Sequence, residues 1–268
     1  MDKIACSVNS LYERYPYPSL PIHNEYDLIK KLHANVMSRI LSTAGLESSS
    51  LSGKDILDAG CGTGEKSCYF AYHGAKVTSL DLSCSSLSKG KKLAEKFALE
   101  IEFKRCDIGE FKTEKMFDHI FCLGVLHHTN DPYERFCALT ALCKPGGTIT
   151  IGLYNLYGRF LHRAKRMWIK LNAGDDIDRR MSFVESSIYG RKFKNLHEQV
   201  YAADKYANPH ESYHSVIEVI DWFNRNGISY IGSYPHTDTG IFRSFFTQLK
   251  WFKSKNGFFI ISGRKIER

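Results

Sequence analysis

The sequence has no long apolar run and no leader of the type that directs secretion. None of its 268 residues lies in an unbroken apolar stretch of about 18 residues, and the N-terminus lacks a charged segment followed by an apolar one. These absences argue against a membrane span and a signal peptide. We therefore expect a cytoplasmic protein with no membrane partner.

Cysteine spacings typical of metal and redox sites are also missing. The eight cysteines include no C-x-x-C pair and no C-x-x-x-C-x-x-C run. A zinc site, a disulfide framework and an iron–sulfur radical centre are therefore not indicated, and we predict no metal. Most of the cysteines fall in apolar segments, where a reduced thiol behaves as a small hydrophobic group.

Acidic residues are scarce in one segment. The chain has a formal net charge of +8, which fits a nucleic acid, a membrane surface, an anionic substrate or solubility alone. Most of the excess lies between Tyr157 and Lys194, where ten basic residues stand against four acidic ones. The basic residues are Arg159, Arg163, Lys165, Arg166, Lys170, Arg179, Arg180, Arg191, Lys192 and Lys194.

The most informative stretch runs from residue 55 to residue 83. An apolar strand is followed directly by Gly60, Gly62 and Gly64, so the backbone can turn tightly and approach a ligand where a Cβ would clash. A second apolar run ends at Asp81, where a carboxylate can accept from both hydroxyls of a ribose. The pattern indicates the cofactor half of a nucleotide-binding α/β domain.

Two carboxylates beside the turn narrow the choice of cofactor. A dinucleotide fingerprint would need a small residue where the chain has Glu65, and Asp58 also lies next to the turn. Together they would repel a pyrophosphate but suit a sulfonium and an ammonium group, which points to S-adenosyl-L-methionine. The run from Asp58 to Gly64 resembles the glycine signature of the class I S-adenosylmethionine-dependent methyltransferases.

This resemblance implies a set of cofactor-binding residues. In the resembling enzymes a carboxylate at the position of Asp107 accepts from the adenine amino group, and Ile108 would cover the ring. The alternative is that Asp107 only caps the next turn. The predicted set is Asp58, Gly60, Cys61, Gly62, Gly64, Asp81, Leu82, Asp107, Ile108 and Gly124.

The order of predicted elements also matches the class I methyltransferase fold. We expect an α/β, doubly wound, mostly parallel seven-stranded sheet with an antiparallel last strand. Residues 51–155 and 215–268 would form this core, and residues 156–214 would form a basic helical cap inserted after the fifth strand. Residues 1–50 would be an N-terminal arm and helix, with the first 25 residues extended because of their prolines; they would act as a lid or pack outside the domain.

The insertion begins with an amphipathic pattern. Between Tyr157 and Leu171 one helical stripe carries the apolar residues Phe160, Leu161, Ala164, Met167, Trp168 and Leu171. Because the insertion leaves the sheet at the carboxyl ends of the strands, where ligands bind, we expect this stripe to roof the substrate site.

Candidate catalytic and substrate residues lie around that predicted edge. His127 and His128 follow the fourth strand and are candidates for a general base, with a structural or cofactor-loop role as the alternative. The loop from residue 204 to residue 214 is rich in polar side chains and is either a substrate loop or a polar surface loop. The predicted substrate set is Tyr15, Tyr17, Tyr154, Asn155, Arg163, Arg166, His210, Tyr213 and His214.

Three functions are compatible with these patterns. The first is a methyltransferase of a small or medium-sized acceptor, whose carboxylate or phosphate, if it has one, would be held by Arg and Lys of the cap. The second is an RNA methyltransferase whose basic insertion follows phosphates, although no separate RNA-binding module is visible. The third is a non-catalytic methyltransferase-like binding subunit, against which the intact glycine turn argues. The sequence identifies neither the acceptor atom nor the oligomeric state.

Overall fold

The computed structural model describes residues 2–254 and 257–267. Its strands are β1 (Asp55–Ala59), β2 (Lys76–Asp81), β3 (Ile101–Arg105), β4 (Phe117–Leu123), β5 (Cys143–Tyr154), β6 (Ile228–Tyr234) and β7 (Phe258–Lys265). They form one seven-stranded sheet in the order β3-β2-β1-β4-β5-β7-β6. β7 runs antiparallel to both of its neighbours, and the other pairs are parallel. The predicted fold class is confirmed; the ends of the predicted domains at Met1 and Arg268 lie outside the described residues.

Helices cover both faces of this sheet. The α-helices are α1 (Lys3–Arg14), α2 (Ser38–Thr43), α3 (Glu65–Tyr72), α4 (Cys84–Lys96), α5 (Pro132–Ala141), α6 (Phe160–Ala173), α7 (Ile177–Val184), α8 (Leu196–Ala202), α9 (Val216–Arg225) and α10 (Ile241–Ser254). Single π-helical turns add Asp27–Lys31, His33–Met37, Glu185–Tyr189 and Ala203–Ala207, and 3-10 turns add Ser48–Leu51 and Leu126–His128. In the part of the chain that the structure describes, none of the helices combines the length and apolar character needed to cross a membrane.

Apolar side chains of the central strands pack against helices on both faces of the sheet. Ile120 and Ile151 join Phe223 of α9 in one cluster, and Ile56 and Phe121 join α3 in the other. Parallel strands covered on both faces are buried almost completely, which explains their continuous apolar runs. The sheet is therefore a rigid support for the loops at its carboxyl edge.

The prediction that the first 25 residues are extended was wrong for residues 3–14, whereas residues 15–24 are non-helical as expected. Residues 3–14 form α1, which begins after Asp2, whose Oδ1 accepts from the backbone N–H of Ala5 at 2.8 Å. Pro16 is the first proline of the chain, and a proline restricts only its own backbone and that of the residue before it. The prolines therefore end the helix and do not prevent it.

The cap helix is oriented differently from the prediction. α6 is amphipathic as expected, but its apolar stripe faces outward, while Ile169 and Ala173 face the protein. The expectation that this stripe roofs the substrate site was therefore wrong. A further helix, α10, lies between β6 and β7 and was not predicted.

One buried histidine should make folding stability depend on pH. His119 on β4 is 8% exposed, its Nδ1 lies 2.9 Å from Thr148 Oγ1, and burial lowers its pKa to about 4. Because the unfolded chain binds this proton near pH 6.5, the residue costs stability as pH falls from 6.5 toward 4. Between pH 7 and pH 5, the free energy of unfolding of the parent protein should therefore fall by about 2 kcal/mol more than that of the His119→Asn variant. Urea unfolding at both pH values measures this difference, and parallel pH slopes would contradict it.

Candidate functional site

A cavity of about 400 Å³ lies at the carboxyl ends of β1, β2 and β4. Its floor is the turn from Gly60 to Gly62 together with the residues that follow β2, β3 and β4. α1 covers it from one side, and the π-helical turn at residues 203–207 reaches it from another. The cavity therefore combines the predicted cofactor edge with the N-terminal helix and the insertion.

The glycine turn is packed tightly against neighbouring chain segments. A Cβ at Gly62, where φ is +57°, would lie 2.3 Å from the carbonyl O of Tyr17, and one at Gly60 would lie 2.2 Å from Val125 Cγ2. At Gly124, which also lines the cavity, a Cβ would meet no atom within 4 Å. Glycine is therefore required at the first two positions by the protein itself, and at Gly124 a side chain would occupy space that a ligand can use.

The N-terminal segment is fastened directly to this turn. Thr63 donates its backbone N–H to the carbonyl O of Tyr17 at 3.2 Å, and Ser19 N–H donates to Thr63 Oγ1 at 2.9 Å. Leu20 N–H donates to Glu65 Oε1 at 2.8 Å, and burial raises the pKa of Glu65. Glu65 thus holds the segment that leads away from the cavity.

A carboxylate lies at or just after the end of β2 and of β3, at the wall of the cavity. Asp81 accepts from the backbone N–H groups of Gly62 at 2.8 Å and Ser83 at 2.9 Å, and burial raises its pKa. Asp107 Oδ1 lies 3.0 Å from Arg135 Nε. Both aspartates line the cavity, and their positions are fixed by contacts at the strand ends.

Eight of the ten predicted cofactor residues line the cavity, and Asp58 and Gly64 do not. Asp58 is fully buried below the turn, where its Oδ2 accepts from Ser67 Oγ at 2.7 Å. A Cβ at Gly64 would lie 2.8 Å from the Cα of Gly90, so this glycine allows α3 and α4 to approach. The eight lining residues are Gly60, Cys61, Gly62, Asp81, Leu82, Asp107, Ile108 and Gly124.

A buried polar cluster, which we call the Tyr12–Asp204 cluster, forms the other end of the cavity. Tyr12 donates its hydroxyl to Asp204 Oδ1 at 2.8 Å and accepts from Asn208 Nδ2 at 3.0 Å. The same Asn208 nitrogen lies 3.5 Å from His128 Nε2. Burial raises the pKa of Asp204 and lowers that of His128 to about 4. Tyr12, Asp204 and His128 line the cavity, so the cluster can exchange a proton with a bound molecule.

The two candidate catalytic histidines have different environments. His128 Nδ1 lies 2.7 Å from the carbonyl O of His210, which can only accept, so Nδ1 carries the hydrogen and the lone pair of Nε2 faces the amide nitrogen of Asn208 at 3.5 Å. His127 is 0% exposed, lies with its ring 3.7 Å from that of Tyr154 and is not part of the lining. Neither of its ring nitrogens has a hydrogen-bond partner within the described residues. The geometry favours His128 over His127 for a role toward a ligand.

Two of the nine predicted substrate residues, Tyr17 and Tyr154, line the cavity. Tyr15, Asn155, Arg163, Arg166, His210, Tyr213 and His214 are outside the lining. Arg166 instead lies 3.2 Å from Glu211, whose side chain is 1% exposed, and donates to the carbonyl O of Asn208 at 2.6 Å. Arg159 donates to both oxygens of Glu211 at 2.8 and 3.0 Å. The two arginines therefore clamp the loop that contains Asp204 and Asn208, two members of the Tyr12–Asp204 cluster.

We expect this clamp to contribute strongly to stability. Arg166→Met should lower the free energy of unfolding by about 3 kcal/mol, because it leaves part of the charge of Glu211 buried and unpaired. Lys165→Met is the matched control, since Lys165 is exposed on the same helix and should change stability by less than about 1 kcal/mol. Chemical denaturation measures both variants. Equal stability of the two would show that the clamp is not structural.

Several lining residues are absent from the predicted site sets. Two of them are Tyr12 of α1 and Arg159, whose Nε has no hydrogen-bond partner within the described residues; Asp204 and Lys205 lie in the predicted loop of residues 204–214 but were not singled out there. The signal for α1 was present in Asp2 and in the apolar residues Ala5, Val8 and Leu11 at helical spacing. No local pattern distinguishes Asp204 from the other polar residues of its loop.

Comparison with known proteins identifies relatives of the core. The model of a family described as a methyltransferase domain matches residues 50–202, which is more than half of the chain. An uncharacterized protein of Synechococcus sp. is 27% identical over 257 residues, 86% of this chain and 60% of that protein. A ubiquinone biosynthesis O-methyltransferase of Bordetella bronchiseptica is 36% identical over 131 residues, 47% of this chain and 53% of the relative. The chain thus spans about half the length of these curated relatives.

Solved structures show the same fold. Magnesium protoporphyrin IX methyltransferase from Synechocystis, determined with bound SAH, has a TM-score of 0.62 at 14% identity, covering 98% of this chain and 100% of that one. N-methyltransferase NodS from Bradyrhizobium japonicum has a TM-score of 0.57 at 14% identity, covering 97% and 100%. At these identities the likeness concerns the fold alone.

Proposed function

Because the chain belongs to the methyltransferase-domain family, we propose that it is an S-adenosyl-L-methionine-dependent methyltransferase acting on a small or medium-sized acceptor. The acceptor would bind between the glycine turn and the Tyr12–Asp204 cluster, beneath the insertion. The eight cysteines are free thiols, which supports the cytosol as its compartment.

The residues at the strand ends fit this cofactor. When bound, S-adenosyl-L-methionine supplies a methyl group on a sulfonium centre. Gly60 to Gly62 present bare backbone, and Gly124 leaves open space. Asp81 can accept from ribose hydroxyls in addition to its two backbone donors, since each carboxylate oxygen has two lone pairs.

The Tyr12–Asp204 cluster fits an acceptor that loses a proton. Asp204 is buried and its pKa is raised, so it is a stronger base than an exposed carboxylate. Tyr12 holds Asp204 in place, and His128, which is joined to the cluster through Asn208, lines the same cavity. We therefore propose an acceptor hydroxyl, with Asp204 taking its proton and His128 supporting it. The Bordetella relative is itself named as an O-methyltransferase.

Charge at the cavity supports a partly anionic acceptor. The predicted holders Arg163 and Arg166 are not in the lining, but Arg159 and Lys205 are; Arg159 already pairs with Glu211, whereas Lys205 has no acidic partner among the described residues. The guanidinium carbon of Arg159 lies 3.4 Å from the ring centre of Tyr154, and this contact holds the cation at the cavity wall. The insertion would then set acceptor specificity through these two cations.

RNA as the acceptor receives less support from the side-chain contacts. Six of the ten basic residues of the insertion are in ion pairs with acidic side chains, which reduces the charge that phosphates would meet. The six are Arg159, Arg166, Lys170, Arg180, Arg191 and Lys192.

The single observation that carries this proposal is the continuous lining from Asp81 to Asp204 in one cavity. The test is transfer of an isotope-labelled methyl group from S-adenosyl-L-methionine to fractionated hydroxylated metabolites, amines and RNA, followed by mass spectrometry of the product. Label on a hydroxyl oxygen supports the proposal. Label on RNA or on an amine alone contradicts the acceptor class, and absence of both cofactor binding and transfer would favour a non-catalytic subunit.

A further inference from the structure

α10 turns its apolar side away from the protein. The six outward residues are Ile241, Phe242, Phe245, Phe246, Leu249 and Phe252; Phe242 is 80% exposed and Phe246 is 60% exposed. Two of the three residues that it buries, Ser244 and Gln248, are polar, and the third is Trp251. Helices packed on a core normally show the reverse arrangement.

Hydrogen bonds on the inner side fix this orientation. Gln248 is 0% exposed, and its Oε1 accepts from Asn155 Nδ2 at 3.0 Å and from the backbone N–H of Val216 at 2.9 Å. Its Nε2 donates to Ser244 Oγ at 3.0 Å. Rotating the helix to bury its phenylalanines would leave these groups without partners, which is costly. The outward apolar face is therefore set by the packing of α10.

α6 extends the same surface. The rings of Phe160 and Phe252 lie 5.7 Å apart, and those of Tyr157 and Phe245 lie 5.8 Å apart. The exposed apolar residues of α6 are Phe160, Leu161, Met167, Trp168 and Leu171. Together the outward residues of the two helices form what we call the aromatic face. An apolar surface of this extent marks an interaction site.

The two helices of the aromatic face contribute charges of one sign. α6 and α10 contain seven basic residues and no aspartate or glutamate. Arg166 and Lys170 pair with Glu211 and Asp175, and the five that have no acidic partner among the described residues are Arg163, Lys165, Arg243, Lys250 and Lys253. Two copies of the chain meeting through this face would bring like charges together, which opposes self-association. The complementary partner is an apolar layer with an anionic surface.

We propose that the aromatic face binds the surface of an anionic phospholipid bilayer. Helices that lie in a membrane interface carry Phe, Leu and Trp on one side and Lys and Arg beside it. α6 and α10 would lie on the bilayer without crossing it, with the basic side chains at the headgroups. The prediction of no membrane partner was based on the lack of a membrane-spanning segment, and binding to the surface of a bilayer does not require such a segment.

The test is binding of the full chain to phosphatidylcholine vesicles with and without phosphatidylglycerol, measured by flotation. We expect binding to the anionic vesicles that weakens with salt. Phe242→Ser/Phe246→Ser and Lys250→Glu/Lys253→Glu should each weaken it by roughly tenfold or more. Matched controls, Tyr26→Ser/Leu196→Ser and Lys91→Glu/Lys92→Glu, change exposed residues elsewhere and should bind as the parent does.

Three results would overturn the proposal. The first is no flotation of the parent protein with anionic vesicles. The second is equal loss of binding in the control variants. The third is a dimer in vesicle-free buffer that the Phe242→Ser/Phe246→Ser variant abolishes, which would assign the face to a second copy. Circular dichroism confirms that the variants are folded. The binding measurement uses neither cofactor nor acceptor, so its outcome is independent of the proposed function.

Discussion

Gly62→Val is expected to reduce the affinity for S-adenosyl-L-methionine by about 100-fold, the equivalent of 2–3 kcal/mol. A Cβ at this position would lie 2.3 Å from the carbonyl O of Tyr17 and 3.3 Å from Pro18 Cδ, so the N-terminal segment would have to move away from the turn. Valine is also strained at a φ of +57°. The variant would thus lose both the shape of the turn and the wall that Tyr17 provides. Titration calorimetry measures the affinity.

Gly53→Val separates these two effects. Gly53 has a φ of +72°, and a Cβ there would meet no atom within 4 Å. The control therefore introduces similar backbone strain without a clash and away from the cavity. We expect some loss of stability in both variants and loss of cofactor affinity only at Gly62. Unchanged affinity in folded Gly62→Val protein would remove the turn from the proposed cofactor site.

Asp204→Asn is expected to lower kcat by roughly 10²- to 10⁴-fold, the usual contribution of a general base. The amide oxygen can still accept from Tyr12, so the geometry of the cluster should persist while the base is lost. In the parent enzyme the base is inactive when protonated, so kcat should fall with decreasing pH through the raised pKa of Asp204. The variant should lack this acid limb. Steady-state kinetics with the identified acceptor measure both effects.

The histidines provide the comparison for this variant. His128→Asn keeps a donor for the carbonyl of His210 and removes Nε2. If kcat falls as much in this variant as in Asp204→Asn, and no further in the double variant, Asp204 and His128 act as a unit. His119→Asn makes the same replacement in the core and should retain kcat. Full turnover of Asp204→Asn would contradict the proposed base.

Local patterns in the sequence predicted the sheet and the cofactor end of the cavity. The Gly60–Gly64 turn and Asp81 are close in sequence, so their spacing reports directly on one strand–turn–helix–strand unit. The capping box of Ser215 and Glu218 at the start of α9 is likewise a local signal, since its two residues are three positions apart. Each of these features involves residues that are close together in the sequence.

The acceptor end could not be predicted in the same way. Tyr12 and Asp204 meet across 192 positions of the chain, and no spacing rule connects them. The orientation of α6 was missed for a different reason. Periodicity shows which residues share a face of a helix, but whether that face points inward depends on what packs beside it, and here Ile169 of α6 packs against Met181 of α7 and Ala202 of α8.

The position of β7 determines when the chain can finish folding. β7 is an inner strand that lies between β5 and β6, although it is the last strand of the described chain. During synthesis, β5 must keep one edge unpaired and β6 has no neighbour until residues 258–265 have left the ribosome. Unpaired strand edges are sites of aggregation, so nascent chains should depend on chaperones up to that point. A truncation that removes β7 would split the sheet, whereas a truncation of equal length at an edge strand would only shorten it.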